Sequence, residues 1–400
     1  MTLSKTTLIA GVLFVSCLSG IASYAQIDLT GRVRPVYEGV ESTALSIFDT
    51  NSESPDGKYL CFIRYPAIVR GGHFGPVVKA DVMIRNTRTG DTNKIHEIWT
   101  TNHNGGNAVW VDAAIVAFQV NHLKDFVVYD VVKNRLLFGP VDGELGHKSF
   151  GNTIYYTVCS SRLRSLDASR KPYEAADEGI YRLNVVTGKR EQVATKKQIV
   201  QAFSAYDHKT TDECAAILHV EPNPKGDKLI FDFRYSDKEV RGFMKADGTD
   251  IRALPVRPMH CVWFDNDFLL GVYTADPEKK IYRFGLNGDR VELLGGLSTH
   301  VGGSPDRQWY IGESAYYGPD PDGYTRVYLY RRGNTTPVAL LAEWTNSKIT
   351  WDWVAHVNPS FSSDGERAYF IRAVDNEDAF EAVGIDLSEI NQLTTGMYAK

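Results

Sequence analysis

The feature that most constrains the fold is a repeat that recurs along almost the whole chain. Each copy has a polar turn of the SPDG type, an apolar strand, a loop, a second strand and a TGxx hairpin before the last strand. Clear copies are SPDGKYLCFIRY followed by DVMIRNTRTGDTNKI, and NPKGDKLIFDFR followed by VRGFMKADGTDIRAL. About seven units cover residues 43–390, and a period of about 40–50 residues with four short strands is typical of a β-propeller. The sequence therefore predicts an all-β protein, a seven-bladed β-propeller with four antiparallel strands per blade, formed by residues 26–400 as one domain.

A ring of blades leaves no exposed sheet edge only if its two ends are joined. Residues 26–42 precede the first repeat, so we expect them to close the ring by supplying an outer strand to the last blade. Helical periodicity is nearly absent, and the strongest helical signal is one or two turns around residues 212–217.

Residues 1–25 have the pattern of a secretory signal peptide. Lys5 supplies the positive region, an apolar run extends from Leu8 to Leu18, and Ser23-Tyr24-Ala25 is a small-x-small cleavage site. The apolar run is too short for a membrane anchor. A lipoprotein attached through Cys17 is an alternative, although the preceding FVS is a poor lipobox. We predict cleavage after Ala25 and a secreted or periplasmic mature protein.

Composition narrows the range of partners. Net charge is −5 without any Lys/Arg block, which argues against nucleic acid. The 21 tyrosines and 7 tryptophans suit an all-β protein and also suit stacking on sugar rings. The four cysteines left after cleavage form no CxxC pair and lie far apart, which excludes a disulfide-stapled scaffold. We expect a monomer without a membrane span and without an organic cofactor.

Residues 101–125, TNHNGGNAVWVDAAIVAFQVNHLKD, predict a strand, a hairpin and a strand with a histidine at each end. The loop that enters an antiparallel pair and the loop that leaves it lie at the same end of the sheet. His103 and His122 would therefore share the rim around the mouth of the central channel, where propellers place their sites. The alternative is that both are ordinary surface histidines.

Cationic and phenolic side chains are expected on the same rim. The long loop SRLRSLDASRKPYEAADEG interrupts the third unit at the corresponding end, and FDFRY ends in the equivalent place in the next unit. Arginine binds carboxylate and sulfate bidentately, and a tyrosine beside a cation can exchange a proton. The candidates are Arg162, Arg164, Arg170, Lys171, Tyr173, Arg234 and Tyr235. A solvated loop of ordinary charge balance is the alternative.

Further histidines are predicted to converge on the channel axis. When the units are aligned on the glycine of the SPDG turn, the start of the innermost strand lies seven places earlier. Imidazoles that converge there could bind zinc or another transition metal, with a thiolate as a soft ligand. The candidate ligands are His219, His260, Cys261, His300 and His356. Alternatively, each histidine caps its own strand by hydrogen bonding.

The segments NHNGGNAVW and NHLKDF, the Tyr/Arg-bearing loop and HVEPNPKGDKLIFDFRYSD resemble the propeller-type ulvan lyases and, more distantly, the oligogalacturonate lyases. The resemblance implies a secreted polysaccharide lyase that cleaves ulvan, a sulfated rhamnose–uronate polymer, at glucuronate or iduronate. It implies that His103 and His122 flank the uronate, with Tyr173, Arg164, Arg234 and Tyr235 as assisting or binding residues.

The pectic relatives hold a metal through a HPHPSFSPDG segment, whereas this chain has HVNPSFSSDG. His356 is kept, but Asn358 replaces the second histidine. This substitution argues against a catalytic metal of the pectic kind and leaves room for a structural zinc ion.

β-Elimination requires the uronate carboxylate to be neutralised, a base to reach the C5 proton and an acid to reach the leaving O4. We expect His122 or His103 as the base, Tyr173 as the proton donor and Arg234 on the carboxylate; the choice of base between the two histidines stays open. The alternatives are a lyase acting on pectic oligogalacturonate and a non-catalytic TolB-like propeller that binds a glycan or protein partner. A peptidase is poorly supported, because the chain lacks a GxSxG motif.

Overall fold

The computed structural model describes residues 26–47, 50–66, 76–101, 105–162, 171–207, 215–235, 238–255, 258–273, 279–314, 323–345, 356–374, 379–388 and 390. Within these ranges the strands form seven sheets of four or five strands. Consecutive strands of each sheet pair antiparallel, in the order in which the chain visits them. The predicted seven-bladed β-propeller is confirmed.

The first four blades use consecutive strands. Their bounds are β3 (Ser42–Ala44), β4 (Tyr59–Tyr65), β5 (Val78–Asn86) and β6 (Thr92–Thr100) in blade 1; β7 (Val109–Trp110), β8 (Ile115–Gln119), β9 (Asp125–Asp130) and β10 (Arg135–Asp142) in blade 2; β11 (Glu144–Phe150), β12 (Thr153–Val158), β13 (Gly179–Asn184) and β14 (Arg190–Thr195) in blade 3; and β15 (Ala216–Pro222), β16 (Lys228–Tyr235), β17 (Lys238–Lys245) and β18 (Arg252–Ala253) in blade 4.

The last three blades follow the same plan. Their bounds are β19 (Met259–Trp263), β20 (Phe268–Val272), β21 (Lys280–Gly285) and β22 (Arg290–Leu297) in blade 5; β23 (Gly302–Gly303), β24 (Trp309–Glu313), β25 (Tyr324–Arg331) and β26 (Ala339–Thr345) in blade 6; and β27 (Ser360–Phe361), β28 (Arg367–Val374) and β29 (Ala379–Asp386) in blade 7.

The segment before blade 1 closes the ring, as predicted. Strand β2 (Arg34–Pro35) pairs antiparallel with β29 and becomes the outer strand of blade 7. The same segment also supplies β1 (Ile27–Asp28), which pairs parallel with β26 at the outer edge of blade 6. The N-terminal segment therefore covers the edges of two neighbouring blades rather than one.

The core lies between neighbouring blades. Strand β9, with the sequence DFVVYD, is buried along its whole length because both faces of a middle strand contact adjacent blades, whereas most of the outer strand β10 is exposed or half-buried. One hydrophobic cluster joins Phe62 of blade 1, Phe118 of blade 2 and Phe380 of blade 7. Large aromatic side chains thus fill the wedge between blades and account for the high aromatic content.

One α-helix, α1 (Lys196–Ser204), follows β14. It begins with a capping box in which the Thr195 side chain accepts from the Gln198 N–H and the Gln198 side chain accepts from the Thr195 N–H. The expectation of helical turns around residues 212–217 was wrong for Ala216 and Ile217, which begin β15; residues 212–214 lie outside the described ranges. None of the helices in those ranges combines the length and apolarity needed to cross a bilayer.

The two faces of the propeller carry different connections. One face, the rim face, carries the entries to the inner strands and the connections between the second and third strands of each blade, such as the His122 turn between β8 and β9. The other face, the turn face, carries the tight turns that join the inner strand to the second strand and the third strand to the fourth. This division follows from antiparallel pairing and positions the site described next.

Candidate functional site

A ring of polar side chains occupies one structural position in blades 2 to 7. Each inner strand ends at the turn face in two residues that pair with the second strand of its blade. The polar residue lies two places before the first of these two residues. The residues at this position are Asn107, His147, His219, His260, His300 and Asn358. The shared position explains why a simple offset from the turn glycine found most of them in the sequence.

On blades 3 and 4 this ring is part of a buried ionic network. Arg162 Nε donates to Glu144 Oε2 over 2.8 Å, and Glu144 Oε1 lies 3.6 Å from His219 Nε2. His219 Nδ1 is 2.9 Å from Asp232 Oδ2, and Arg241 Nη1 is 3.1 Å from Asp232 Oδ1. The side chains of Glu144, Asp232 and Arg241 are 3%, 5% and 6% exposed. Buried charges of alternating sign hold one another in a defined geometry, because each would be costly to leave alone.

The two histidines of this network contact each other. The rings of His147 and His219 lie 4.7 Å apart, and burial lowers the pKa of both well below the ordinary value. Gly146 makes this approach feasible, because a Cβ atom there would lie 2.3 Å from the Val220 carbonyl oxygen. The inner strands of blades 3 and 4 are therefore close enough for their imidazoles to pack.

His122 sits on a strained turn of the rim face. Its φ is +44° and that of Leu123 is +63°, values that cost on the order of 1–3 kcal/mol for residues other than glycine. The turn is held by His122 N–H, which donates to the Trp99 carbonyl oxygen over 2.7 Å, and by Lys124 N–H, which donates to Asn121 over 3.1 Å. Two backbone hydrogen bonds therefore hold the strained turn in place.

The electrostatics of His122 favour a neutral imidazole. Burial lowers its pKa to about 4, and the nearby positive charges of Arg162 and Lys124 act in the same direction. Its Nδ1 is buried and has no hydrogen-bond partner within the described part of the chain. At neutral pH His122 is therefore an unprotonated ring that can accept a proton.

A small pocket adjoins the His122 turn. It is lined by Leu123, Lys124, Glu144, Arg162 and Tyr173, among others, and its volume of about 10 Å³ has room for roughly one water molecule. The Tyr173 N–H donates to Ser160 Oγ over 2.8 Å. This hydrogen bond ties the later part of the connection between β12 and β13 to its start. Tyr173 and Arg162 thus share one pocket with Leu123, the residue that follows His122.

Arg234 and Tyr235 point in opposite directions, as adjacent residues of a strand do. Arg234 is 40% exposed, forms an ion pair with Glu239 at 3.1 Å, and lies close enough to His219 to lower its pKa. Tyr235 is buried against Phe233, with its hydroxyl donating to Asp207 over 3.1 Å. Arg234 is therefore on the side of the ionic network, whereas Tyr235 lies in the core. His103, Arg164 and Arg170 are outside the described residues.

The histidines of blades 5 to 7 form a second group. His260 stacks on His300 with ring centroids 4.2 Å apart, and the His356 ring meets that of His300 edge-on at 4.3 Å. His300 Nδ1 is 2.7 Å from Glu313 Oε1, His260 Nδ1 donates to the Thr299 carbonyl oxygen over 2.9 Å, and His300 Nε2 hydrogen-bonds directly to His356 Nδ1. Three imidazoles therefore meet where three inner strands come together.

The five predicted metal ligands are divided by the structure. His260, His300 and His356 are together, His219 belongs to the network of blades 3 and 4, and Cys261 is buried in an apolar cluster with Trp263 and Leu269. Among the described residues, no group of three or more His, Cys, Asp or Glu side chains is arranged to hold a metal ion. The zinc site remains a prediction, and of its candidate donors only His260, His300 and His356 lie in contact.

Several residues of the site escaped sequence reasoning, and three of them show why. His147 escaped because the turn FGNT of blade 3 is short, so His147 lies four rather than seven places before its glycine, Gly151. Asp232 was detectable, since a carboxylate in the middle of the apolar strand LIFDFRY must be paired if it is buried. Glu144 carried no local signal, because its partners Arg162 and His219 are distant in the sequence.

No protein-family model and no curated protein matches this chain. Solved structures do. An oligogalacturonate lyase from Vibrio parahaemolyticus is 14% identical with a TM-score of 0.59, over 89% of this chain and 93% of that one. An oligogalacturonate lyase in complex with manganese is 15% identical with a TM-score of 0.59, over 90% of this chain and 94% of that one. TolB from Acinetobacter baumannii is 10% identical with a TM-score of 0.39, over 63% and 54%. At these identities the two lyase structures establish a shared propeller fold.

Proposed function

We propose that the protein is a secreted polysaccharide lyase that cleaves a uronate-containing polymer by β-elimination. The observation that carries the proposal is the neutral His122 on the rim face, close to the charge of Arg162, together with the adjoining pocket that Arg162 and Tyr173 line with Leu123. These three side chains offer a base, a cation and a hydroxyl donor, which are the three groups that the reaction needs.

Arg162 is the cation best placed to meet the uronate carboxylate. Its Nε is held by Glu144, which fixes the plane of the guanidinium beside the pocket. Neutralising the carboxylate makes the C5 proton more acidic, because the developing enolate-like charge is stabilised where it forms. Arg234, expected in this role from the sequence, lies on the next blade near His219 and would contact the neighbouring sugar unit or a second anionic group.

His122 would remove the C5 proton. In the free enzyme its pKa of about 4 keeps it unprotonated, and a bound uronate carboxylate raises that pKa because a negative charge favours the imidazolium. Binding therefore makes His122 a stronger base at the time it is needed. Tyr173 would give its phenolic proton to the leaving O4. In the sequence, His103 precedes the first strand of the blade whose second strand is followed by His122. His103 would face the opposite side of the sugar and allow both glucuronate and iduronate to react.

We propose ulvan as the polymer, on the resemblance carried by NHNGGNAVW, NHLKDF and HVEPNPKGDKLIFDFRYSD. Asn358 in place of a second histidine favours ulvan over pectic substrates. Of the predicted zinc donors, only His260, His300 and His356 lie together, and their rings would have to leave their present hydrogen bonds to hold a structural zinc ion. An ion bound there would cross-link the inner strands of blades 5 to 7.

The test is ultraviolet absorbance of the unsaturated uronate during incubation with ulvan, with polygalacturonate in parallel. We expect product from ulvan, and a loss of at least a hundredfold in kcat/KM for His122→Ala, since a general base contributes about 10²–10⁴-fold. His96→Ala is the matched control, because His96 is also partly buried but lies on the outer strand of blade 1.

Product only from polygalacturonate would retain the lyase and discard ulvan. Folded protein that releases no unsaturated product from either polymer, with zinc, manganese or calcium supplied, would overturn the lyase in favour of a binding propeller. A His122→Ala variant that keeps full activity would move the base to His103.

A further inference from the structure

A second pocket lies on the turn face, where blade 7 meets blade 1. The start of β28, the turn that follows β5 and the N-terminal segment that closes the ring surround it. Its volume is about 250 Å³, near the lower end of the range of about 300–1,000 Å³ found for ligand sites. It is much larger than the pocket beside His122 and opens on the opposite face.

Arginines dominate the polar lining of this pocket, which includes Arg32, Arg34, Arg85 and Arg367. Arg34 Nη1 donates to the carbonyl oxygens of Gly31 and Val33 over 2.7 and 2.9 Å, and Arg85 Nη1 donates to that of Val36 over 2.5 Å. A carbonyl oxygen orients a guanidinium without cancelling its charge. Within the described residues, the hydrogen bonds of Arg34 and Arg85 go only to backbone carbonyls, so both keep their full positive charge.

The carboxylates at the pocket face its other two arginines. Glu53 binds Arg367 through two hydrogen bonds, of 3.0 and 3.2 Å, and also accepts from the Tyr369 hydroxyl over 2.8 Å. Asp386 lines the pocket and accepts from the Ser388 N–H over 2.8 Å; hydrogen bonding to Ser388 lowers its pKa, and the charges of Arg367 and Arg32 act in the same direction. Four arginines thus meet two carboxylates, and the positive excess lies at Arg34 and Arg85.

The floor of the pocket is apolar. Val36, Leu60, Tyr369 and Ile385 line it and are buried in the surrounding core. An apolar or aromatic floor beneath fixed guanidinium groups is suited to a sugar ring that carries an anionic substituent, because the ring packs on the floor while the anion meets the arginines.

We propose that this pocket binds a sulfate- or carboxylate-bearing sugar unit of a polyanionic polysaccharide. Only the identity of the polymer rests on the proposed function; the anion site itself rests on the arginines and the floor. A site on the face opposite the rim would keep a long polymer attached between cleavage events, since a second attachment point raises the local concentration at the first.

The first test uses the phenylglyoxal reaction of arginines, mapped by peptide mass spectrometry on the full-length mature protein. An ulvan oligosaccharide is expected to protect Arg34 and Arg85 and to leave the exposed Arg135 of blade 2 reactive. A desulfated oligosaccharide identifies the anion: lost protection assigns sulfate, and retained protection assigns the uronate carboxylate. Absence of protection by both overturns the proposal.

The second test measures affinity by calorimetry in the His122→Ala background, so that turnover does not interfere. Arg34→Gln is expected to weaken oligosaccharide binding about tenfold, as loss of a charge-assisted hydrogen bond does. Arg34→Lys restores part of the affinity, and Arg135→Gln is the charge-matched control without effect. Arg34 is chosen because Arg85 also ties Val36 to blade 1, so its removal would disturb ring closure.

Unchanged affinity in Arg34→Gln overturns the proposal even if elimination is observed. Conversely, protection and tenfold weaker binding support it even if no polymer is cleaved, so its failure is distinguishable from failure of the lyase.

Discussion

His147, His219, His260 and His300 occupy the same position of successive inner strands, and His356 lies two residues before that position in blade 7, yet the two histidine groups differ in their surroundings. His147 and His219 on blades 3 and 4 lie among Glu144, Asp232, Arg162 and Arg241, whereas the histidines of blades 5 to 7 mainly contact one another and Glu313. The first group is linked through Glu144 to the pocket of Arg162 and Tyr173. The difference teaches that a repeated fold position determines where a side chain points, while its charged neighbours determine what chemistry it supports.

The comparison is tested most strongly by removing one carboxylate from each histidine group. Glu144→Gln should lower kcat/KM about 10–100-fold, because Arg162 loses the charged partner that orients it beside the pocket. Glu313→Gln, which removes the carboxylate bonded to His300, should change kcat/KM less than twofold. Initial rates of unsaturated product measure both variants, and thermal unfolding verifies that each is folded. Equal losses in both variants would show that the two halves of the channel are not distinct.

Rescue sharpens this comparison. Glu144→Asp retains the charge but shortens the side chain, and we expect it to recover part of kcat through Arg162. A purely structural role of Glu144 predicts a different result. The unfolding temperature would fall, but kcat/KM for a substrate with the carboxylate would keep the same ratio to kcat/KM for a substrate without it.

The pH profile tests the environment of His122. Because the pKa of His122 is lowered to about 4, the acid limb of kcat/KM should lie well below pH 6.5, and that of kcat should lie at higher pH once the substrate carboxylate is bound. Arg162→Gln should shift the kcat/KM limb upward, since it removes a positive charge near the ring. An acid limb near pH 6.5 that does not respond to Arg162→Gln would contradict this assignment.

The same shift affects stability. The folded protein disfavours the imidazolium of His122, whereas the unfolded chain protonates it near pH 6.5. As the pH falls from about 6.5 towards 4, the unfolded state takes up this proton first, so the contribution of His122 to stability falls over that window.

The smallest effect on activity is expected in blades 5 to 7. Chelation or His356→Gln should lower the unfolding temperature by a few degrees and leave kcat/KM within twofold, because a zinc ion there would only cross-link inner strands. Metal content by plasma mass spectrometry and a thermal scan measure this. Elimination that stops on chelation and returns with manganese would contradict a structural role.

Much of the fold was accessible from the sequence because it is written in local patterns. SPDG-type turns and TGxx hairpins recur in most blades and predicted the number of blades, and the segment before the first repeat predicted the closure of the ring. Helix α1 was missed although Thr195 and Gln198 form a capping-box pattern, because the surrounding periodicity is weak. Tyr235 was grouped with Arg234 although strand alternation sends adjacent side chains to opposite faces.

The sequence by itself determined the propeller, its blade order and the inner-strand position that carries the histidines, since each depends on a short repeated pattern. Only the tertiary structure decided which of these histidines meet carboxylates, which stack on one another, and which arginines keep an uncancelled charge. Contacts such as Arg162 with Glu144, His219 with Asp232 and Arg85 with Val36 join different strands or blades, so no local pattern encodes them. The pKa of His122 likewise depends on burial and on the charges of Arg162 and Lys124, and burial exists only once the blades have packed against each other.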